Sequence, residues 1–311
     1  MSWVLLVLGI LLLYLGGEAL VRSATRLARA LGVSPLVVGL TVVAFGTSAP
    51  ELAATVTAAL KGAPGVALGN VVGSNIANLG LILGLAALIS PLRTTARFLR
   101  REVPFMLGVS VLMFGLVQDG MVTRANAAVL LLLLGVYLVY LLRQEREPPE
   151  VEAEFVEAYG ADRVPVWRDL LGVGAGVGLL VLGADALVEG AVDLARGFGV
   201  SERVIGLTVV AVGTSLPELA SALVAAARRE SDIVLGNLVG SNVFNVLAIL
   251  GVTALVRPVP VATHAVQLDL GVMLGLSVLV WPFLYTGYRL GRREGAALLL
   301  AYLGYVILLY A

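Results

Sequence analysis

Long apolar runs separated by short polar stretches dominate the chain. Runs of about 17–25 residues, enough to cross roughly 30 Å of hydrocarbon as a helix, fall at 3–21, 35–60, 66–90, 102–118, 123–142, 168–190, 202–226, 232–256, 266–284 and 293–310. The pattern predicts an all-α membrane protein of ten transmembrane helices. The first run lacks the basic n-region of a signal peptide and has an internal copy, so it is read as a membrane helix. Two runs carry a near-identical interruption at mid-span, GTSAPE at 46–51 and GTSLPE at 213–218. Glycine, proline and a carboxylate are all costly at the centre of a membrane helix.

The recurrence is part of a longer repeat. Residues 16–91 align with 183–258 at a constant offset of 167 without a gap, and more than half of the positions between 39–91 and 206–258 are identical. Each unit holds five predicted helices, an odd number, so the second copy enters the membrane from the opposite side. The expected organisation is two inverted five-helix repeats, 1–142 and 168–311, joined by an acidic linker at 143–167. Inverted repeats of this kind characterise secondary transporters, whose sites lie near the bilayer midplane where broken helices of the two halves meet.

Composition narrows the chemistry. Of 311 residues 59% are hydrophobic and 14% charged, with mean hydropathy +0.98, values that exclude an ordinary soluble domain. Net charge is zero, and no basic tract points to nucleic acid. No cysteine is present and His264 is the sole histidine, so thiolate and histidine-rich metal sites are excluded and any cation must be held by oxygen. His264 reads as a surface residue.

With the N-terminus outside, sixteen Lys and Arg residues fall in inner loops and five in outer loops. The positive-inside rule then places both termini outside and the linker in the cytoplasm, in a cell membrane. The linker's Glu145, Glu147, Glu150, Glu152, Glu154, Glu157 and Asp162 read as a solvated hinge; a regulatory divalent-cation site is the sharper alternative. Glu18 and Asp185, equivalent acids in the two repeats, read as interfacial or mouth-lining. Trp3, Trp167 and Trp281 fit an aromatic belt.

The motif itself has a physical reading. Pro50 and Pro217 lack an N–H, so the carbonyls of Gly46 and Gly213 lose their helical partners. Such backbone survives in a membrane only inside protein or beside a cavity. Thr47, Ser48 and Glu51 share a helix face, as do Thr214, Ser215 and Glu218. No Lys or Arg lies in the core of any predicted span to neutralise the two glutamates, each of which costs about 2.5–3.5 kcal/mol to insert; bound cations would do so. The next helix of each repeat, GNVVGSN and GNLVGSN, carries Asn70, Ser74 and Asn78, then Asn237, Ser241 and Asn245, at intervals of four. Ser74, Asn78, Ser241 and Asn245 are read as ligands; Asn70, Asn75, Asn237 and Asn242 as their supports. The glycines at 69, 73, 236 and 240 read as close helix packing.

Carboxylates, hydroxyls, amide oxygens and freed carbonyls form a hard oxygen cage that selects Ca²⁺, Mg²⁺, Mn²⁺ or Na⁺. Irregular coordination by two mobile halves suits Ca²⁺ better than Mg²⁺, which demands a tight octahedron. Na⁺ is close to Ca²⁺ in size, so one cage holding either in turn is a basis for antiport. The alternatives are proton antiport through Glu51 and Glu218, a cation channel, and a membrane hydrolase using the two glutamates as acid and base.

The paired motifs closely resemble the two alpha-repeats of the sodium/calcium exchanger family of cation/calcium antiporters, over nearly the whole chain except the linker. The resemblance implies a ten-helix fold in which the first and sixth helices slide as a unit. It also implies alternating access and exchange of Na⁺ for Ca²⁺ with no cofactor and no obligate protein partner. It points to Thr47, Ser48, Glu51, Ser74, Asn78, Thr214, Ser215, Glu218, Ser241 and Asn245 as ligands, with the carbonyls of Ala44 and Ala211. Proton-coupled members carry Asn-Ala where this chain has Thr-Ser, which argues for Na⁺. Potassium-dependent members carry Asp in place of Asn245, which argues against K⁺.

Overall fold

The computed structural model describes residues 2–143, 165–198 and 213–310. The linker's 144–164 and the predicted ligand Ala211 lie outside this set. Among the described residues eleven helices carry the fold: α1 Ser2–Leu31, α2 Pro35–Thr47, α3 Ala49–Leu60, α4 Pro64–Ile89, α5 Ala96–Leu116, α6 Arg124–Leu142, α7 Val166–Gly197, α8 Leu216–Ala227, α9 Ser231–Val256, α10 Thr263–Tyr285 and α11 Arg292–Tyr310. Local signals set several starts. Ser34 caps α2 ahead of Pro35, Thr95 caps α5, and Thr123 with Asn126 forms a capping box on α6, each satisfying backbone donors that a helix start leaves open.

Among the described residues six helices are long and apolar enough to cross a membrane, and α2–α3, bent by 44°, makes a seventh. That is fewer than the ten predicted spans. Helices α5 and α11 form but fall outside that set, and the predicted span 202–226 is described only from Gly213. The chain is nonetheless an all-helical membrane protein.

Helices α4 and α9 sit at the centre: 67% and 78% of their apolar windows are buried, against 22–33% for the other single spans. The repeats interlock. Helix α6 packs on α9 and α11 on α4, so the last helix of each half covers the central helix of the other. Two short ladders follow the same rule: β1 Leu92–Arg93 pairs with β4 Arg289–Leu290, and β2 Met121–Val122 with β3 Val259–Pro260. Ser110 and Ser277, offset by 167, meet with hydroxyl oxygens 3.4 Å apart.

Two glycine contacts fix the frame. A Cβ on Gly176 would stand 2.7 Å from the Leu20 nitrogen, and one on Gly9 would stand 2.7 Å from that of Leu187. Helices α1 and α7 therefore run backbone against backbone. Gly236 and Gly240 of α9 likewise meet the Leu36 and Leu40 carbonyls of α2, at 2.7 and 2.8 Å from an added Cβ. This second contact brings the α9 polar stripe onto the broken end of α2.

Candidate cation site

From Gly213 on, where the second break is described, it is built like the first. Helix α2 stops at Thr47, Ser48 leaves helical geometry (φ −82°, ψ 2°), and α3 begins at once. Ser215 (φ −94°, ψ 7°) precedes α8 in the same way. Pro50 and Pro217 thus occupy first-turn positions, where a missing N–H costs nothing. Glu51 and Glu218 lie in those same turns, beside the positive end of a half-helix dipole, which favours an anion. The prolines that read as breakers in the sequence serve equally as helix starts.

Across the centre the repeats hold one another. Ser48 Oγ donates toward Glu218 Oε1 (3.2 Å) and lies 3.2 Å from Ser241 Oγ. Ser215 Oγ donates toward Glu51 Oε1 (3.3 Å) and lies 3.4 Å from Ser74 Oγ. The Thr47 hydroxyl reaches Asn237 Oδ1 at 3.2 Å, and the Thr214 hydroxyl reaches Asn70 Oδ1 at 3.3 Å. Asn78 Nδ2 donates to Asn242 Oδ1, and Asn245 Nδ2 to Asn75 Oδ1, each at 3.0 Å. Each of these four relations joins residues of one repeat to residues of the other, and each maps onto its twin through the offset of 167.

At this centre four oxygens stay unmatched. Glu51 Oε2, Glu218 Oε2, Asn78 Oδ1 and Asn245 Oδ1 are buried with no hydrogen-bond partner, although Glu51, Glu218, Asn78 and Asn245 are at most 2% exposed. Leaving such acceptors unsatisfied costs roughly 1–3 kcal/mol each, more for the carboxylates. With the glutamates ionised all four only accept, and one bound cation would satisfy them together.

Of the predicted ligands, Ala44, Thr47, Ser48, Glu51, Ser74, Asn78, Ser215, Glu218, Ser241 and Asn245 are buried, and Thr214 is half-buried. The Ala44 carbonyl accepts the Ser48 N–H at 3.0 Å and lies 3.4 Å from the Thr47 hydroxyl. Asn70 and Asn237 stand behind the breaks, donating to Thr55 Oγ1 (2.8 Å) and Ser221 Oγ (3.1 Å). Thr55 and Ser221 escaped the sequence reading, although each lies within one turn of its glutamate. So did Met106 and Met273, whose sulfurs accept from Asn242 and Asn75; their separation of 167 was a usable signal. Asn78 and Asn245 also sit in short π-helical turns, Ala77–Ile82 and Asn245–Leu250, a distortion frequent at functional sites. Glu18, read as mouth-lining, is paired with Arg228 (Nε to Oε2, 2.7 Å). Asp185 is exposed.

Buried acceptor oxygens at paired helix breaks in a membrane define a class, that of cation transporters. The family model described as sodium/calcium exchanger protein matches residues 1–143 and 169–311. The sodium/calcium exchanger MaX1 of Methanosarcina acetivorans is 35% identical, covering 99% of this chain and 98% of its own. The inner membrane protein YrbG of Escherichia coli is 37% identical over 88% of this chain and 86% of its own. A structure of the sodium-calcium exchanger NCX_Mj, soaked with Na⁺ and Sr²⁺, superposes with a TM-score of 0.86 at 32% identity, covering 99% of each chain. The chain belongs to the sodium/calcium exchanger family. It is a cation/calcium antiporter, an integral membrane transporter and not an enzyme.

Proposed function

We propose that the chain exchanges Na⁺ for Ca²⁺ by alternating access, without K⁺, in the direction that extrudes Ca²⁺ from the cell. The observation that carries this reading is the set of four buried oxygens without partners, two of them from carboxylates. Two carboxylate charges balance one Ca²⁺, and Ca²⁺ takes six to eight oxygens in irregular geometry. Two to four further oxygens, drawn from the hydroxyls of Thr47, Ser48, Thr214, Ser215, Ser74 and Ser241 and the carbonyls of Ala44 and Ala211, complete that number. The same oxygens serve Na⁺ when Ca²⁺ leaves. Helices α1 and α7, joined through their glycines, form the unit that slides across the two breaks; Val177 and Val188 of α7 press on Gly46 and Gly213.

The Thr-Ser pairs favour Na⁺ over H⁺ as the coupling ion, since their hydroxyl oxygens are neutral ligands suited to a monovalent cation. Proteoliposomes loaded with Na⁺ and diluted into Na⁺-free buffer, at equal pH and without K⁺, should take up Ca²⁺. Uptake driven only by a pH gradient would assign the coupling to protons on Glu51 and Glu218.

Because the two ligand sets are identical, Ser48→Ala and Ser215→Ala should weaken Ca²⁺ binding by the same factor, about tenfold for one lost hydrogen bond to a charged group. Titration calorimetry reads this, and a large disparity between the variants would refute equivalence. Orientation is tested on a chain that naturally lacks cysteine. In intact cells a membrane-impermeant thiol reagent should label Lys61→Cys and spare Glu152→Cys; the reverse pattern would invert the topology.

A further inference from the structure

The amides of Asn78 and Asn245 offer a cation either an oxygen or an NH₂ group, and only the oxygen binds. Something must choose between them. Asn75 and Asn242 are 0% and 3% exposed, and the sulfurs they face belong to Met273 and Met106, 0% and 1% exposed. Asn75 Nδ2 lies 3.5 Å from Met273 Sδ, and Asn242 Nδ2 lies 3.8 Å from Met106 Sδ. A thioether has no proton to give and only accepts, so it fixes the NH₂ end of each asparagine toward itself. The oxygen of Asn75 then faces away and meets Asn245 Nδ2 at 3.0 Å; the oxygen of Asn242 meets Asn78 Nδ2 at 3.0 Å. With their NH₂ groups so engaged, Asn245 and Asn78 turn Oδ1 inward, where each is buried without a partner.

We propose that Met273–Asn75 and Met106–Asn242 are positioning pairs that set the amides of Asn245 and Asn78 oxygen-first toward the transported cation. The inference rests on the cation-cage reading above and deepens it. Each pair acts across the repeat boundary: Asn75 on Asn245, not on Asn78 three residues along its own helix. The orientation of the cage is thereby set by two sulfurs that never touch the ion.

The test is a double-mutant cycle read by equilibrium binding of radiolabelled Ca²⁺ to the purified full chain in detergent. Asn75→Leu, close in shape but unable to accept, should weaken Ca²⁺ binding roughly 10–100-fold, the usual cost of losing a group that orients a metal ligand. In an Asn245→Ala background the same change should cost no more than about twofold, while in an Asn78→Ala background its factor should persist in full. Asn75→Asp keeps the acceptor for Asn245 and should hold binding within about threefold or tighten it. Equal losses in both backgrounds, or an Asp variant as damaged as the Leu variant, would overturn the proposal and leave Asn75 a packing residue. If Asn75→Leu does not fold, Met273→Leu, which conserves volume, replaces it: its smaller loss should vanish with Asn245→Ala, and persistence would overturn the proposal. A wild-type chain that binds no Ca²⁺ would count against the exchange reading; the cycle is then read by Na⁺-induced thermal stabilisation, with the same two patterns deciding the positioning role.

Discussion

Glu51→Gln and Glu218→Gln should each lower Na⁺-driven Ca²⁺ uptake at least about 100-fold, beyond the roughly 10–100-fold typical of groups that only orient a ligand. Glutamine keeps the shape of the side chain and an oxygen for Ser215 or Ser48 to bond. It removes one of the two charges that offset a divalent ion in low dielectric, where Coulomb terms are largest. The fold should survive, because deleting a buried charge that lacks a counter-ion relieves the empty state. Melting in chelator should therefore be unchanged or raised for both variants, while Ca²⁺ no longer shifts the transition. Unimpaired uptake in either variant would remove that carboxylate from the cage.

The second large effect falls far from the ions. Gly176→Val should abolish transport and lower thermal stability, because its Cβ would lie 2.7 Å from the Leu20 nitrogen and 2.9 Å from the Leu20 Cα. Backbone cannot yield as a flexible side chain can, and overpacking of this kind costs about 1–3 kcal/mol or more. Gly178→Val on the same helix is the matched control: an added Cβ there meets nothing within 4 Å. It should keep uptake within about twofold, since exposed substitutions usually stay within about 0.5 kcal/mol. Equal damage from both would trace the loss to helix propensity or membrane insertion, and equal tolerance would show that α1 and α7 do not pack as described.

Much of this was legible in the chain because duplication doubles every signal. The offset of 167 marks GTSAPE and GTSLPE as a candidate site; either alone also reads as a kinked helix. The absence of Lys and Arg from the span cores left Glu51 and Glu218 without counter-ions; among the described residues no Lys or Arg pairs with either, and each takes a serine hydroxyl from the other repeat. What stayed hidden was partnership. Periodicity puts Asn75 and Asn78 on neighbouring helix positions but is silent on contacts between helices, so nothing joined Asn75 to Asn245 or Ser48 to Glu218. Met106 and Met273 were overlooked for a different reason: an apolar residue in an apolar helix looks like core, even where the offset of 167 recurs. Short charged turns, such as Arg97, Arg100, Arg101 and Glu102 in α5, blur where a span leaves the membrane. The partner of Glu18 was hidden too, since an acid near a predicted helix end gives no hint of Arg228, which meets it from just past α8.

The proposed exchange turns on one cage that would hold either Na⁺ or Ca²⁺ and never both. Equilibrium Ca²⁺ binding to the purified chain at a series of Na⁺ concentrations tests it most directly. Mutual exclusion predicts that Na⁺ raises the apparent Kd for Ca²⁺ without limit while the amount of Ca²⁺ bound at saturation stays constant. A Kd that reaches a plateau at high Na⁺, or a saturation level that falls, would mean that the two ions occupy separate sites, and the exchange mechanism drawn from Glu51 and Glu218 would not stand.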